Sequence, residues 1–184
     1  MIILDLGEFK RGRLWINEMP NIKMEVTSSF EEVVEVNNYQ QWEEKVITLE
    51  LLLAPRDISN YALLGVKYNP TSTNMLNIQV NATNFNGSIL QDNIALLTDE
   101  VHMGIPQAYV SSIISTAKEK AKELNFPAGS LIFEIGAHGY VGSSKVAFAI
   151  LTKVLMGLIS KNMKDIFTEE LNEMVLNLLK SFFP

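Results

Sequence analysis

With 184 residues, of which 47% are hydrophobic and 20% charged, the chain has the composition of one globular domain and differs from an extended disordered protein. The formal net charge of −6 argues against a general attraction to DNA or an anionic membrane, and the absence of cysteine excludes disulfides and thiolate chemistry. We expect a cytoplasmic protein, because no stretch reaches the ~18 to 20 apolar residues of a membrane span and no secretory signal pattern begins the chain.

Two short apolar segments at the start of the chain, 2–5 and 13–16, predict strands joined by a basic, glycine-containing turn. The turn holds Lys10, Arg11 and Arg13, which form a candidate basic patch for RNA. Nucleic-acid-binding proteins typically carry a larger basic surface, so this patch alone is only a weak indication of RNA binding.

Further strands are indicated by alternating or continuous apolar residues. Residues 22–26 alternate between apolar and polar, as in a half-buried strand. The segment 46–53 is the candidate central strand, because only Thr48 and Glu50 interrupt its apolar residues. The segments 61–68 and 76–80 are also predicted as strands and are interpreted as a hairpin. Residues 84–102 show no clear pattern, which leaves either an inserted loop or a short helix.

After residue 105 the apolar residues recur with the period of an α-helix. The predicted helices cover 106–124, 143–160 and 168–182, and an apolar strand at 130–135 separates the first two. Strands followed by helices, with one strand between two helices, predict an α+β fold with a mostly antiparallel sheet. We expect a single domain over 1–184.

A glycine-rich turn at 136–142 and the helix start after it form the candidate partner or anion site, because helix N–H groups and serine hydroxyls can bind an anion. Serine is also a preferred N-cap, and capping is the favoured interpretation. The site comprises Gly136, His138, Gly139, Tyr140, Gly142, Ser143 and Ser144.

Metal, cofactor and acid–base chemistry are not predicted. Two histidines, His102 and His138, have no convincing third ligand, and His138 is interpreted as a polar surface group in the turn. The adjacent acidic residues at 31–32, 43–44 and 99–100 are expected to be solvated. We therefore predict no catalytic residue, no metal ligand and no cofactor.

Several short motifs follow one another between residues 104 and 150: Gly104-Ile-Pro-Gln-Ala-Tyr109, Ala121, Ala128-Gly129 and Ser143-Ser144-Lys-Val-Ala147-Phe148-Ala-Ile150. Together they resemble domain IV of translation elongation factor G and of the tetracycline-resistance ribosomal protection proteins. In that family a similar set opens one helix, precedes a strand and begins the next helix.

The resemblance covers about residues 61–160 and implies a two-layer α/β sandwich of the ribosomal protein S5 domain 2-like type. Residues 1–60 would then be extra N-terminal strands, and 168–182 an extra C-terminal helix. The segment around Gly142, Ser143 and Ser144 is also similar to the phosphate loop of the galactokinase superfamily. No GTPase domain accompanies this region, so the resemblance implies fold more than activity.

Three functions remain as hypotheses. The favoured one is a non-enzymatic protein that engages a protein partner, in an accessory or immunity-type role. The resemblance implies a ribosome- or RNA-binding protein as the first alternative, acting through 136–142 and the basic turn. The second alternative is a phosphate-ligand-binding enzyme of the galactokinase superfamily fold that uses Ser143 and Ser144. A homo-oligomer is compatible with each of them.

Overall fold

The computed structural model describes residues 1–38, 40, 42–54, 60–84, 87–162 and 166–180. Within these ranges the chain forms eight strands and three helices. The strands are β1 Ile2–Asp5, β2 Lys10–Ile16, β3 Ser28–Glu35, β4 Lys45–Leu53, β5 Asn60–Pro70, β6 Met75–Ala82, β7 Val101–Met103 and β8 Gly129–Gly139. The helices are α1 Gln107–Glu123, α2 Lys145–Ile159 and α3 Thr168–Leu179.

All of these strands belong to one mixed sheet, ordered β1-β2-β4-β5-β8-β6-β3, with β7 pairing with β8 beside this path. Every strand pair is antiparallel except β6 with β8. The predicted α+β class with a mostly antiparallel sheet is therefore confirmed. None of the helices in the described ranges has the length and apolar character of a membrane span.

The predicted hairpin between 61–68 and 76–80 is wrong, because β8 lies between β5 and β6. β8 runs antiparallel to β5 and parallel to β6. Parallel neighbours need a crossover connection, and the chain between β6 and β8 supplies it through α1. A short turn connects β5 to β6, but the two strands are not neighbours in the sheet because β8 lies between them.

The three helices lie side by side on one face of the sheet, here called the inner face. α3 packs on β1, α2 on β4 and β5, and α1 on β6 and β3, while α2 also contacts both other helices. Because α2 lies between two helices and the sheet, it is buried on most of its circumference. The predicted helix boundaries agree within two residues for α1 and α2. The predicted end of the last helix, 181–182, lies outside the described residues.

β4 shows why the inner face holds the larger core. Ile47, Leu49, Leu51 and Leu53 all point to the helices and are buried, as the alternation of 46–53 predicts. The intervening residues are buried as well: Leu52 belongs to a second apolar cluster on the outer face. β4 is therefore covered on both faces.

The outer cluster is built from β4, β5 and the C-terminal part of β8, covered by the irregular segment 87–100 and by Ile22. The described part of 84–102 thus forms a covering loop that ends in β7. The strand predicted at 22–26 is wrong, since Ile22 packs into the outer cluster whereas Met24 packs against the inner core. A strand in that place would put both side chains on one face. The strand forms after it, as β3.

We predict that Phe133→Ala lowers the free energy of unfolding by about 3 to 5 kcal/mol, because loss of a fully buried ring from β8, an interior strand, would leave a cavity. Ile3→Ala serves as the control. Ile3 lies on the edge strand β1 with 71% of its surface exposed, so its loss should cost less than about 0.5 kcal/mol. Urea denaturation of both variants measures the difference, and equal costs would contradict the central placement of β8.

Candidate functional site

Most of the predicted glycine turn is strand, which corrects the expectation for 136–142. β8 continues through Gly136, His138 and Gly139, and only 140–142 form the turn. A Cβ atom at Gly136 would collide with Ile105, and one at Gly139 with the carboxylate of Asp99. These glycines therefore permit close packing of other chain segments against β8.

The carboxylate of Asp99 occupies the N–H groups of the turn. The backbone N–H of Val141 donates to Asp99 Oδ1 and that of Gly142 to Oδ2, both at 2.9 Å. The neighbouring N–H of Tyr140 donates to the carbonyl oxygen of Glu100 at 2.8 Å. The two hydrogen bonds to the Asp99 carboxylate are charge-assisted, and such bonds are stronger than neutral ones. The anion that this turn binds is thus a side chain of the same protein.

The two serines have different structural roles. Ser144 is the N-cap of α2, and its hydroxyl accepts the N–H of Ala147 at 3.1 Å. Ser143 instead joins β8 to the start of β5: its Oγ accepts the Gly139 N–H at 2.8 Å and donates to the Tyr61 carbonyl oxygen at 2.5 Å. Both hydroxyls of the predicted anion site therefore have partners within the fold.

His138 is a buried residue rather than a surface group in a turn. It lies opposite His102 in the β7–β8 pair, and the two rings stack with their centroids 5.8 Å apart. His138 Nδ1 lies 3.2 Å from the carbonyl oxygen of Gly104, and His102 Nε2 lies 2.8 Å from Glu100 Oε1. Among the residues that the structure describes, no group of three or more potential ligands is placed to hold a metal ion.

The predicted basic patch is divided between the two faces of a strand. Lys10, Arg11 and Arg13 all lie in β2 and not in a turn, since pairing with β4 begins at Lys10. Lys10 points to the helix side, where it lines a groove with α3. Arg13 points to the outer face, where its guanidinium lies 2.8 Å from Asp92 Oδ1 and 3.7 Å from Glu50 Oε2. The three cations therefore form no common surface.

Glu50 is a buried carboxylate whose burial the sequence did not predict. It is fully buried on the outer face of β4, and its Oε1 accepts the Tyr61 hydroxyl at 2.8 Å and the Ile94 N–H at 3.1 Å. Burial raises the pKa of the Glu50 carboxyl, whereas these hydrogen bonds and the charge of Arg13 oppose the shift. Burial also raises the pKa of Tyr61 well above its usual value, with the Glu50 charge as the second cause. A lone glutamate within the apolar run 46–53 was the available signal.

One accessible part of the outer face lies over β3 and β6. There the outward side chains are exposed or partly exposed. We name this the outer β3–β6 surface and define it by Glu31, Val33, Glu35, Asn77, Gln79, Asn81 and, on the neighbouring β8, Glu134. It combines carboxylates with amides; the nearby cation Lys67 is paired with Glu44 at 3.0 Å. This surface is acidic.

Comparison with known proteins adds no assignment: no protein-family model, curated protein or solved structure matches the chain significantly.

We predict that Asp99→Ala destabilises the protein by about 2 kcal/mol, because two backbone N–H groups lose a charged acceptor. Asp99→Asn retains one acceptor oxygen and should lose less. Glu173→Ala, which removes an exposed carboxylate from α3, should change the free energy of unfolding by less than about 0.5 kcal/mol. Chemical denaturation gives all three values; an Asp99→Ala variant as stable as Glu173→Ala would contradict this role.

We predict that the stability difference between the wild type and Glu50→Gln depends on pH. The raised pKa means that the folded protein keeps a proton on Glu50 at pH values where the unfolded chain has lost it. The contribution of Glu50 is therefore fully present below about pH 4.5 and is lost as the pH rises through the folded-state pKa.

Within that window the difference between the two proteins should change by at most about 1.4 kcal/mol per pH unit, to the disadvantage of the wild type. Denaturation of both proteins between pH 4 and pH 8 measures it. A difference that is constant over this range, or that grows in favour of the wild type with rising pH, would show that the Glu50 pKa is not raised.

Proposed function

We propose that this protein is a non-enzymatic binding protein in an accessory or immunity-type role, and that its partner is a protein with a basic surface that binds the outer β3–β6 surface. One observation carries the proposal: Glu31, Glu35 and Glu134 are exposed on the same side of the sheet, and no ion pair neutralises them within the described ranges. Electrostatic complementarity of this kind accelerates association and selects the partner.

The alternative of an RNA-binding protein has less support. Phosphate groups would meet like charges at the outer β3–β6 surface. The cations proposed for RNA contact point to opposite faces of β2, and Arg13 is already paired with Asp92. A continuous basic surface, which RNA binding usually needs, is not formed by Lys10, Arg11 and Arg13.

The alternative of a phosphate-ligand-binding enzyme also has less support. The N–H groups of Val141 and Gly142, which would receive a phosphate, donate to Asp99. The hydroxyls of Ser143 and Ser144 bind backbone groups. A phosphate would have to displace Asp99 from the N–H groups of the turn and the Tyr61 carbonyl oxygen from the Ser143 hydroxyl before these groups could bind it.

The fold that we propose remains the ribosomal protein S5 domain 2-like sandwich. Three features favour it: the adjacent parallel strands β6 and β8, the helix α1 that connects them, and α2 directly after β8. The motifs behind the resemblance lie at the beginnings of these elements, since Pro106 precedes α1, Gly129 begins β8 and Ser144 caps α2. A shared scaffold is compatible with different functions.

We predict that reversing Glu31, Glu35 and Glu134 to lysine weakens binding of the partner by at least tenfold, a rough bound that follows from losing three attractive contacts and creating three repulsive ones. The matched control reverses Glu119, Glu169 and Glu173, which are exposed on the helix side and give the same change in net charge. The partner is recovered from native cells by affinity capture, and its affinity for each variant is then measured with purified protein.

Equal losses in the two triple variants would indicate a bulk charge effect and would contradict a specific outer surface. Retention of the partner by both variants would reject the proposed surface. Co-sedimentation with ribosomes that disappears when Arg11 and Arg13 are neutralised would favour the RNA alternative instead.

A further inference from the structure

Strand β3 offers an open backbone edge. Within the described ranges it pairs with β6 on one side only, over eight residues. The register continues to Val36, whose N–H donates to the carbonyl oxygen of Asn74 at 3.0 Å. Along an antiparallel ladder, residues whose N–H and C=O groups bond to the neighbouring strand alternate with residues whose groups point away from it. Val36 bonds to the residue directly before β6, so Glu31 and Val33, which lie an odd number of residues before Val36, direct their N–H and C=O groups outward.

An apolar groove of about 460 Å³ runs between this edge and α1 on the inner side. Its apolar lining comes from Phe30 on β3 and from Val110 and Ile114 on α1. The ion pair between Lys118 Nζ and Glu32 Oε2, 2.5 Å apart, spans its rim. The groove lies at the margin of the helix layer, where the free edge of β3 adjoins α1 and leaves Phe30 and Ile114 partly exposed.

We propose that the partner contributes an extended segment that adds to β3 as a further strand, with apolar side chains in the groove and lysine or arginine side chains on the outer side. This inference rests on the proposed function and specifies how the partner binds. Strand addition supplies main-chain hydrogen bonds to the open edge, and pockets for alternate side chains provide selectivity.

The period of two in a strand determines the pattern of the segment. Residues that point inward would meet Phe30 and Ile114, and their neighbours would point outward beside Glu31 and Glu35. Opposite charges placed across neighbouring strands attract each other. The segment should therefore alternate between apolar and basic residues over about five to seven positions.

Charge also distinguishes this occupant from a second copy of the same chain. Two β3 edges pairing with each other would bring Glu31 and Glu35 of one copy beside the same residues of the other. Like charges on adjacent strands destabilise the pairing, and natural edges use them to prevent self-association. A basic segment instead finds both open backbone groups and uncompensated carboxylates at this edge.

The direct test uses a synthetic seven-residue peptide that alternates lysine and valine, with acetylated and amidated ends. The control peptide has the same composition with all lysines before the valines. Isothermal titration measures binding, and hydrogen exchange measures protection of the Glu31 and Val33 amides. We expect the alternating peptide to bind at least about fivefold more tightly than the control and to protect both amides. Absence of binding by the wild type, or equal binding of both peptides without protection, would overturn the proposal.

The variant test removes one outward N–H. Val33→Pro eliminates a donor that β6 does not use, and edge strands tolerate proline at such positions. Val33→Thr retains the N–H and the side-chain shape. We expect the proline variant to bind the alternating peptide about tenfold more weakly and the threonine variant to bind it like the wild type. A proline variant that binds like the wild type would contradict strand addition.

A second variant keeps the test decisive if Val33→Pro does not fold. Ile114→Gln leaves β3 intact and makes the groove polar, and it should also weaken the peptide about tenfold. Unchanged peptide binding by Ile114→Gln would contradict occupation of the groove. If the natural partner is lost by the Glu31, Glu35 and Glu134 variant but kept by Val33→Pro and Ile114→Gln, the protein-binding function stands and strand addition is wrong.

Discussion

The fold depends on the burial of β8 between β5 and β6. This strand is the middle neighbour of two strands that lie close together in sequence, and Leu131 and Phe133 anchor the helix side while Ile135 and Ala137 anchor the outer cluster. Side chains on both faces of β8 belong to apolar clusters, and both of its edges are paired with neighbouring strands. The parallel pairing with β6 requires the crossover through α1, and the strand's end sets the start of α2.

At the C-terminal end of β8 the chain leaves the sheet and begins α2, and the polar groups released there must be satisfied. Asp99 supplies the acceptor for the turn, and Ser143 bridges Gly139 to Tyr61. Leaving such groups unpaired in a partly buried place would cost free energy. The residues with the most suggestive chemistry in the sequence, at the glycine turn and the start of α2, thus have structural roles.

The surface that is available to a partner lies at the β3 edge of the sheet. The helices cover the inner face, and the free edge of β3 lies at the margin of this layer beside α1, where carboxylates lie next to an apolar groove and an open backbone edge. One extended segment that alternates basic and apolar residues would be complementary to all three features: the charged outer side, the apolar inner side and the unpaired edge. This combination supports the proposed protein partner.

The sequence by itself determined the helices, the central strand β4 and the α+β class, because each depends on local periodicity: the stripe of α1 and the alternation from Ile47 to Leu53 recur every few residues. It also indicated Ser143 or Ser144 as the cap of α2, of which the structure selects Ser144. The insertion of β8 between β5 and β6, the binding of Asp99 to a turn 42 residues away and the division of Lys10 from Arg13 were decided only by the tertiary structure. These features arise from pairing between distant segments, and no local pattern specifies which distant segment will supply the partner.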